Sequence, residues 1–239
     1  MSGWSVPHFG LYWERIRVDY PHVQVQHPIV SQEEVSKGPR VVAVAVPEVR
    51  CWFLEPTKNR LIQVQRDRFI HNWRKYAEGE AEYPRYEEVI RPAFVREWEG
   101  FLAFLRDAGV TMPKVARCEV TYINQFERGR EWEHRNDIAN VLRPLEWNTD
   151  FLPPPDSTSC EWTYGLPDDR GTLQVVLVPA IRNRDAKEIF QLTLTAKGQP
   201  ATPETEDLLA WMDSAREWIV RGFADLTTAE MHKLWKRSS

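Results

Sequence analysis

Three strand-like runs follow one another at residues 160–166, 172–181 and 188–197, separated only by Asp168-Asp169-Arg170-Gly171 and Arg182-Asn183-Arg184-Asp185. A parallel crossover takes about a dozen residues or more, so these short polar connections predict an antiparallel meander. In the middle run Leu173, Val175 and Leu177 alternate with Gln174, Val176 and Val178. Both faces are largely apolar, as expected of an interior strand or one covered on both sides. Thr202-Pro203-Glu204 then starts a helix with proline in its first turn, and Leu208, Met212, Ala215, Ile219 and Phe223 form its sheet-facing stripe. Thr227 and Glu230 have capping-box spacing and start a last short helix carrying Met231, Leu234 and Trp235. Strands followed by a helix that must bury one stripe describe an α+β fold.

The first half follows a looser version of the same plan. Phe9, Trp13 and Ile16 have helical spacing and predict a short helix ending before Pro21. Residues 23–40 read as a connector, and 41–46 and 49–55 as strands. The turn Glu55-Pro56-Thr57-Lys58-Asn59 leads into the stretch 60–75 as a hairpin. Residues 86–108 form a long helix, with Pro92 in its first turn or at a kink and Gly109 at its end. A strand at 116–126 and a weaker helix at 131–142 precede the proline run Phe151-Leu152-Pro153-Pro154-Pro155-Asp156. That run reads as a linker between residues 1–150 and 151–239. The expected architecture is a curved antiparallel β-sheet with long α-helices packed on one face, the two halves sharing a plan.

The stretch RLIQVQRDRFIHNWRK, residues 60–75, is the chain's most unusual strand-like sequence. Read as one strand, it places Leu61, Gln63, Gln65, Asp67, Phe69, His71 and Trp73 on one face. Ile62, Val64, Arg66, Arg68, Ile70, Asn72 and Arg74 then lie on the other. Asp67 and His71, joined by Glu119 from the next strand, have the chemistry of an acid/base pair or of a divalent-metal site for phosphodiester cleavage. A salt-bridged network that fixes strand register needs the same residue types. Tyr83-Pro84-Arg85-Tyr86 is a second candidate, since tyrosine and arginine carry binding hot spots. The resulting binding set is Gln65, Arg66, Asp67, Arg68, Asn72, Trp73, Arg74, Tyr83, Arg85 and Tyr86. Its arginines interleaved with rings also suit a single-stranded nucleic acid or a nucleotide, although the formal charge of −4 argues against a general nucleic-acid coat.

No nucleotide-binding, metalloprotease or serine-hydrolase motif is present, and neither a cofactor nor a metal is implied. Eleven tryptophans supply both core and recognition surface. Cys51, Cys118 and Cys160 stand far apart and read as reduced, buried thiols. With no signal peptide and no apolar run near the ~20 residues that span a bilayer, a cytoplasmic protein without a membrane partner is expected.

RLIQVQRDRFIHNWRK, YPRYE, CEVTYIN and EWIVRGFADLTTAEMHKLW together resemble the hallmarks of a sporadically distributed, uncharacterised bacterial protein family. The resemblance runs from GLYWERIRVDYP to Trp235, with no motif across 126–156. It implies genes that travel with mobile or defence loci, and it marks 65–74 as the site region without giving any residue a role. The leading expectation is a non-enzymatic binding or accessory protein that recognises a protein partner in a defence or toxin–antitoxin system. The alternatives are an enzyme acting on nucleic acid or nucleotides through Asp67, His71 and Glu119, and a small-ligand sensor with a cavity between sheet and helix.

Overall fold

The short turns fold the chain back on itself as expected, but into two sheets. The computed structural model describes residues 1–29, 48–76, 83–145, 151–153 and 155–236. The chain divides into two units, Met1–Pro113 and Lys114–Ser239, each with a four-stranded antiparallel sheet. The architecture is α+β. The proline run, read above as the linker, lies inside the second unit.

In the first unit α1 (Val6–Ile16) precedes β1 (His22–Gln26), β2 (Arg50–Leu54), β3 (Arg60–Gln65), β4 (Arg68–Trp73) and α2 (Arg91–Asp107). The strands lie in the order β1-β2-β3-β4. Strand β1, HVQVQ, falls within the stretch read as connector, and the strand expected at 41–46 lies outside the described residues. The helix expected over 86–108 begins with a π-helical turn at Tyr86–Ile90 before α2. Pro92 sits in the first turn of α2, and Gly109 follows it at φ +67°, the left-handed conformation that ends helices.

The largest correction concerns 60–75. It is a hairpin, not one strand: β3 pairs with β4 from Gln65↔Arg68 to Arg60↔Trp73, with Arg66 and Asp67 as the two-residue loop. The reversal reassigns the faces. Phe53, Ile62, Val64, Phe69, His71 and Trp73 share one face, and Trp52, Gln63, Gln65, Arg68, Ile70 and Asn72 share the other.

The first of these faces carries the core. Phe69 stacks on Phe101 of α2 at 4.8 Å and meets Trp98 at 5.6 Å. Tyr12 of α1 lies edge-on to Phe53 and Phe101 at 5.6 and 5.2 Å, and Trp4 joins through Phe9 at 5.0 Å. Each such pair adds to the area it buries about 0.5–1.5 kcal/mol. The buried Glu97 accepts from Tyr20 Oη at 3.0 Å and from Arg96 at 2.8 Å, tying the segment after α1 to α2.

The second unit contains β5 (Cys118–Glu127), the short α3 (Ile138–Val141), β6 (Cys160–Gly165), β7 (Gly171–Arg182), β8 (Lys187–Gly198), α4 (Thr205–Leu226) and α5 (Ala229–Leu234). Its order is β5-β8-β7-β6, so the meander is as read and β7 is interior. The helix expected at 131–142 is reduced to a 3-10 turn at Arg135–Asp137 and the single turn of α3. Buried Leu173, Val175, Leu192, Leu194 and Ala196 form one sheet face, and α4 presents buried Leu208, Trp211, Ala215 and Ile219. Gly198 makes room for the indole: a Cβ there would stand 2.8 Å from Trp211 Nε1, which donates to Arg170 O at 3.0 Å.

The cap of α5 is Thr228 rather than Thr227. Thr228 accepts from Met231 N, while the fully buried Thr227 donates to Phe223 O at 2.7 Å and meets His232 Nε2 at 2.7 Å. Trp235 then stacks on Phe126 at 5.7 Å and donates to the buried Glu131 carboxylate at 3.0 Å. Glu131 also accepts from Glu127 N at 2.7 Å, so the chain's last motif closes onto the end of β5. Trp235→Ala removes one of that carboxylate's donors and opens a cavity beside Phe126. It is expected to lower stability by about 2–3 kcal/mol, read by urea unfolding.

Candidate functional site

The hairpin register brings together residues that are distant in sequence. Along the face opposite the aromatic core, Gln26 and Arg50 lie at one end, Gln24, Trp52, Gln63 and Ile70 across the middle, and His22, Leu54, Leu61 and Asn72 beyond. None of the strand positions on this face is acidic.

Trp52 is the centre of the group. The guanidinium carbons of Arg50 and Arg74 each stand 5.5 Å from its ring centre. Arg74 also lies 5.0 Å from the ring of Tyr76, and the Lys58 ammonium lies 5.3 Å from the same ring. These are cation–π distances. Arg74 is further fixed by donating from Nε to Lys58 O at 3.1 Å. Lys58 itself adopts φ 61° in the β2–β3 turn.

A line of amides supports the rings. Arg50 Nη1 donates to Gln63 Oε1 at 3.1 Å, and Gln63 Nε2 donates to Asn72 Oδ1 at 2.6 Å. Gln65 uses both ends of its amide on the backbone of Ile29, at 2.8 and 3.1 Å, and is buried. It therefore anchors the chain after β1 to this face and is a fastening, not an exposed contact. Among the described residues, Arg50 Nε and Trp52 Nε1 are buried and have no acceptor. Burial and the nearby charge of Arg68 both lower the pKa of Arg50.

The other candidate residues disperse. Arg66 and Asp67 occupy the exposed β3–β4 loop; Arg66 lies 3.8 Å from Glu48, and Asp67 accepts from Arg68 at 2.8 and 3.1 Å. That contact holds the Asp67 carboxyl below its usual range even though partial burial opposes it. Trp73 points to the core side and meets Tyr83 edge-on at 5.1 Å. Arg85 is exposed and bonds Glu88 at 3.0 Å, and Tyr86 is half-buried at the start of the π-helical turn.

Asp67 and His71 do not form an acid/base pair. Asp67 is held by Arg68 in the loop, whereas His71 sits opposite Ile62 on the core face, 6.3 Å from the Phe94 ring. Glu119 belongs to the second unit, where it accepts from Thr121 and stands 4.0 Å from Lys197. Among the described residues, no three His, Cys, Asp or Glu side chains are grouped to share a metal ion. Cys51 and Cys118 are buried and Cys160 half-buried, all as free thiols. No described helix is long and apolar enough to cross a membrane.

Arg50, Trp52, Gln63 and Tyr76 were not among the residues singled out from sequence. The available signal was the alternation of Arg50 and Trp52, which places both on one strand face. No family model, curated protein or solved structure matches the chain.

His71 yields a pH prediction. Burial, reinforced by Arg60 and Arg96, pushes its pKa down to about 4, and its Nε2 has no partner among the described residues. The native state therefore holds the neutral ring, while the unfolded chain takes up a proton near pH 6.5. Stability is fully present above pH ~6.5 and falls as the pH drops towards 4, by about 3 kcal/mol at pH 4 from this group alone. Chemical denaturation across that window should show the loss, and His71→Phe should flatten it.

Proposed function

We propose that the chain is a non-enzymatic binding protein that recognises a protein partner through the Arg/Trp face of its first unit. The observation that carries this reading is a sheet face with Arg50 and Arg74 against Trp52, Arg68 on the same face, and no acidic residue at its described strand positions. Arginine and tryptophan are the residue types that dominate binding energy at protein interfaces. A cation already resting on an aromatic ring has lost part of its rotamer freedom before the partner arrives, which lowers the entropic cost of association. The family resemblance favours a defence or toxin–antitoxin setting for that partner, in the cytoplasm.

Nucleic acid is the less favoured ligand. Base stacking needs a free ring face, whereas Arg50 and Arg74 both lie against Trp52.

The test is affinity capture with the tagged protein from its source cells, with mass spectrometry of retained protein and nucleic acid. One stoichiometric protein is expected, and Arg66→Ala, Arg68→Ala and Arg74→Ala combined should abolish its capture without unfolding the chain. Undiminished capture by the folded triple variant would move the interface elsewhere, and retention of nucleic acid without protein would replace this reading.

A further inference from the structure

Resting on the protein-binding reading, we infer that Arg50, Trp52 and Arg74 form a carboxylate-recognition site, and that the partner offers this face an acidic segment. One edge of the Arg50 guanidinium is uncommitted among the described residues. Its Nη1 is committed to Gln63 Oε1, and its Nε has no acceptor among the described residues. The Nε–Nη2 edge of a guanidinium is a two-donor fork that matches the two oxygens of a carboxylate. The Trp52 indole N–H, on the same strand face one pleat along, also lacks an acceptor among them. Both nitrogens are shielded from water, where an unpaired donor is most costly and an arriving anion gains most.

Charge balance points the same way. Among the described residues Arg50 and Arg74 form no ion pair; their guanidinium groups rest on Trp52 and Tyr76. The charged group acting on Arg50 is Arg68, of the same sign. An incoming carboxylate meets two uncompensated cations and an indole donor, with Gln63 and Asn72 holding the floor in place.

The experiment is a fluorescence-anisotropy titration of the full chain with a labelled peptide of alternating Asp and Gly. Its Asn–Gly counterpart and a labelled oligothymidylate serve as comparisons. The Asp peptide should bind in a salt-sensitive way and the Asn peptide should not. Arg50→Gln should weaken binding roughly tenfold or more. Arg50→Lys should weaken it nearly as much, because the charge remains but the fork is gone. Arg221→Gln, which alters an exposed arginine paired with Glu217, should leave binding unchanged. Thermal unfolding checks each variant, and Arg74→Gln reads the same site if Arg50→Gln does not fold.

Asp-peptide binding that survives Arg50→Gln and Arg74→Gln in folded proteins overturns the site while leaving the protein-partner reading intact. Full rescue by Arg50→Lys overturns the forked recognition. Preference for oligothymidylate overturns both the carboxylate inference and the protein-partner reading. Binding of none of the three probes overturns the carboxylate inference alone, since partner capture tests the broader reading independently.

Discussion

The stacking of Phe69 on Phe101 decides the rest of the first unit. Side chains alternate along a strand, so a one-residue slip in the β3–β4 pairing would exchange the two faces of the hairpin. With Phe69 held at 4.8 Å from Phe101 and in contact with Trp98, β4 has one register that buries its aromatic ring. Ile62, Val64 and His71 follow Phe69 inward, and Gln63, Arg68 and Asn72 are turned the other way. The polar face is thus a consequence of the apolar one. The large rings of α1 and α2 fix where arginines on the opposite side of the sheet can stand.

Both units pair arginines with carboxylates, and two arginines of the first stand apart. In the second, Arg128 bonds Glu133 and Glu188, Arg221 bonds Glu217, and the buried Arg182 bonds Glu127 and Asp185. Arg182 also reaches Gln125, so this network holds the β7–β8 turn against β5 and has a structural task. In the first unit Arg15, Arg60, Arg66, Arg68, Arg85 and Arg96 pair likewise, whereas Arg50 and Arg74 lie on aromatic rings. Cation–π contact holds a guanidinium in place without neutralising it. That leaves the charge available to a ligand, which a salt bridge does not. The contrast is the physical reason for placing recognition on the first unit's sheet.

What the sequence revealed depended on how local the cause was. The meander at 160–197, the proline start and glycine stop of α2, and the long stripe of α4 all depend on neighbours within a few residues, and all were legible. The β3–β4 loop was not, because Arg66-Asp67 lacks the glycine or asparagine that marks most two-residue hairpins. Without that break the period-two reading ran straight through, and it put Asp67 and His71 on a common face. Strand β1 was missed because HVQVQ alternates too briefly among polar residues to stand out from a connector. The candidate site was legible in part: Arg68, Asn72 and Arg74 were named, but Arg50 and Trp52 join them only through pairing across β2 and β3. Cross-strand register is set by the core, and the core contacts of Phe69 are with Phe94, Trp98 and Phe101, too far along the chain for a local pattern to show.

A polar sheet face carries a cost that this one largely meets from within. Buried amides are tolerated when their donors and acceptors are paired. Gln65 pairs both ends of its amide with one backbone residue, and Gln63 accepts from Arg50 while donating to Asn72. In so well-satisfied a lattice, two N–H groups on the same face with no partner among the described residues, Arg50 Nε and Trp52 Nε1, stand out. Both are donors, they sit on adjacent same-face positions of one strand, and one belongs to a cation without a counter-ion among the described residues. A core that merely needed to fold would be better served by apolar residues of similar volume at these positions. The arrangement makes physical sense when the missing acceptor is an anion supplied by another molecule, and the amide lattice beneath it is what keeps the two donors in place until that molecule arrives.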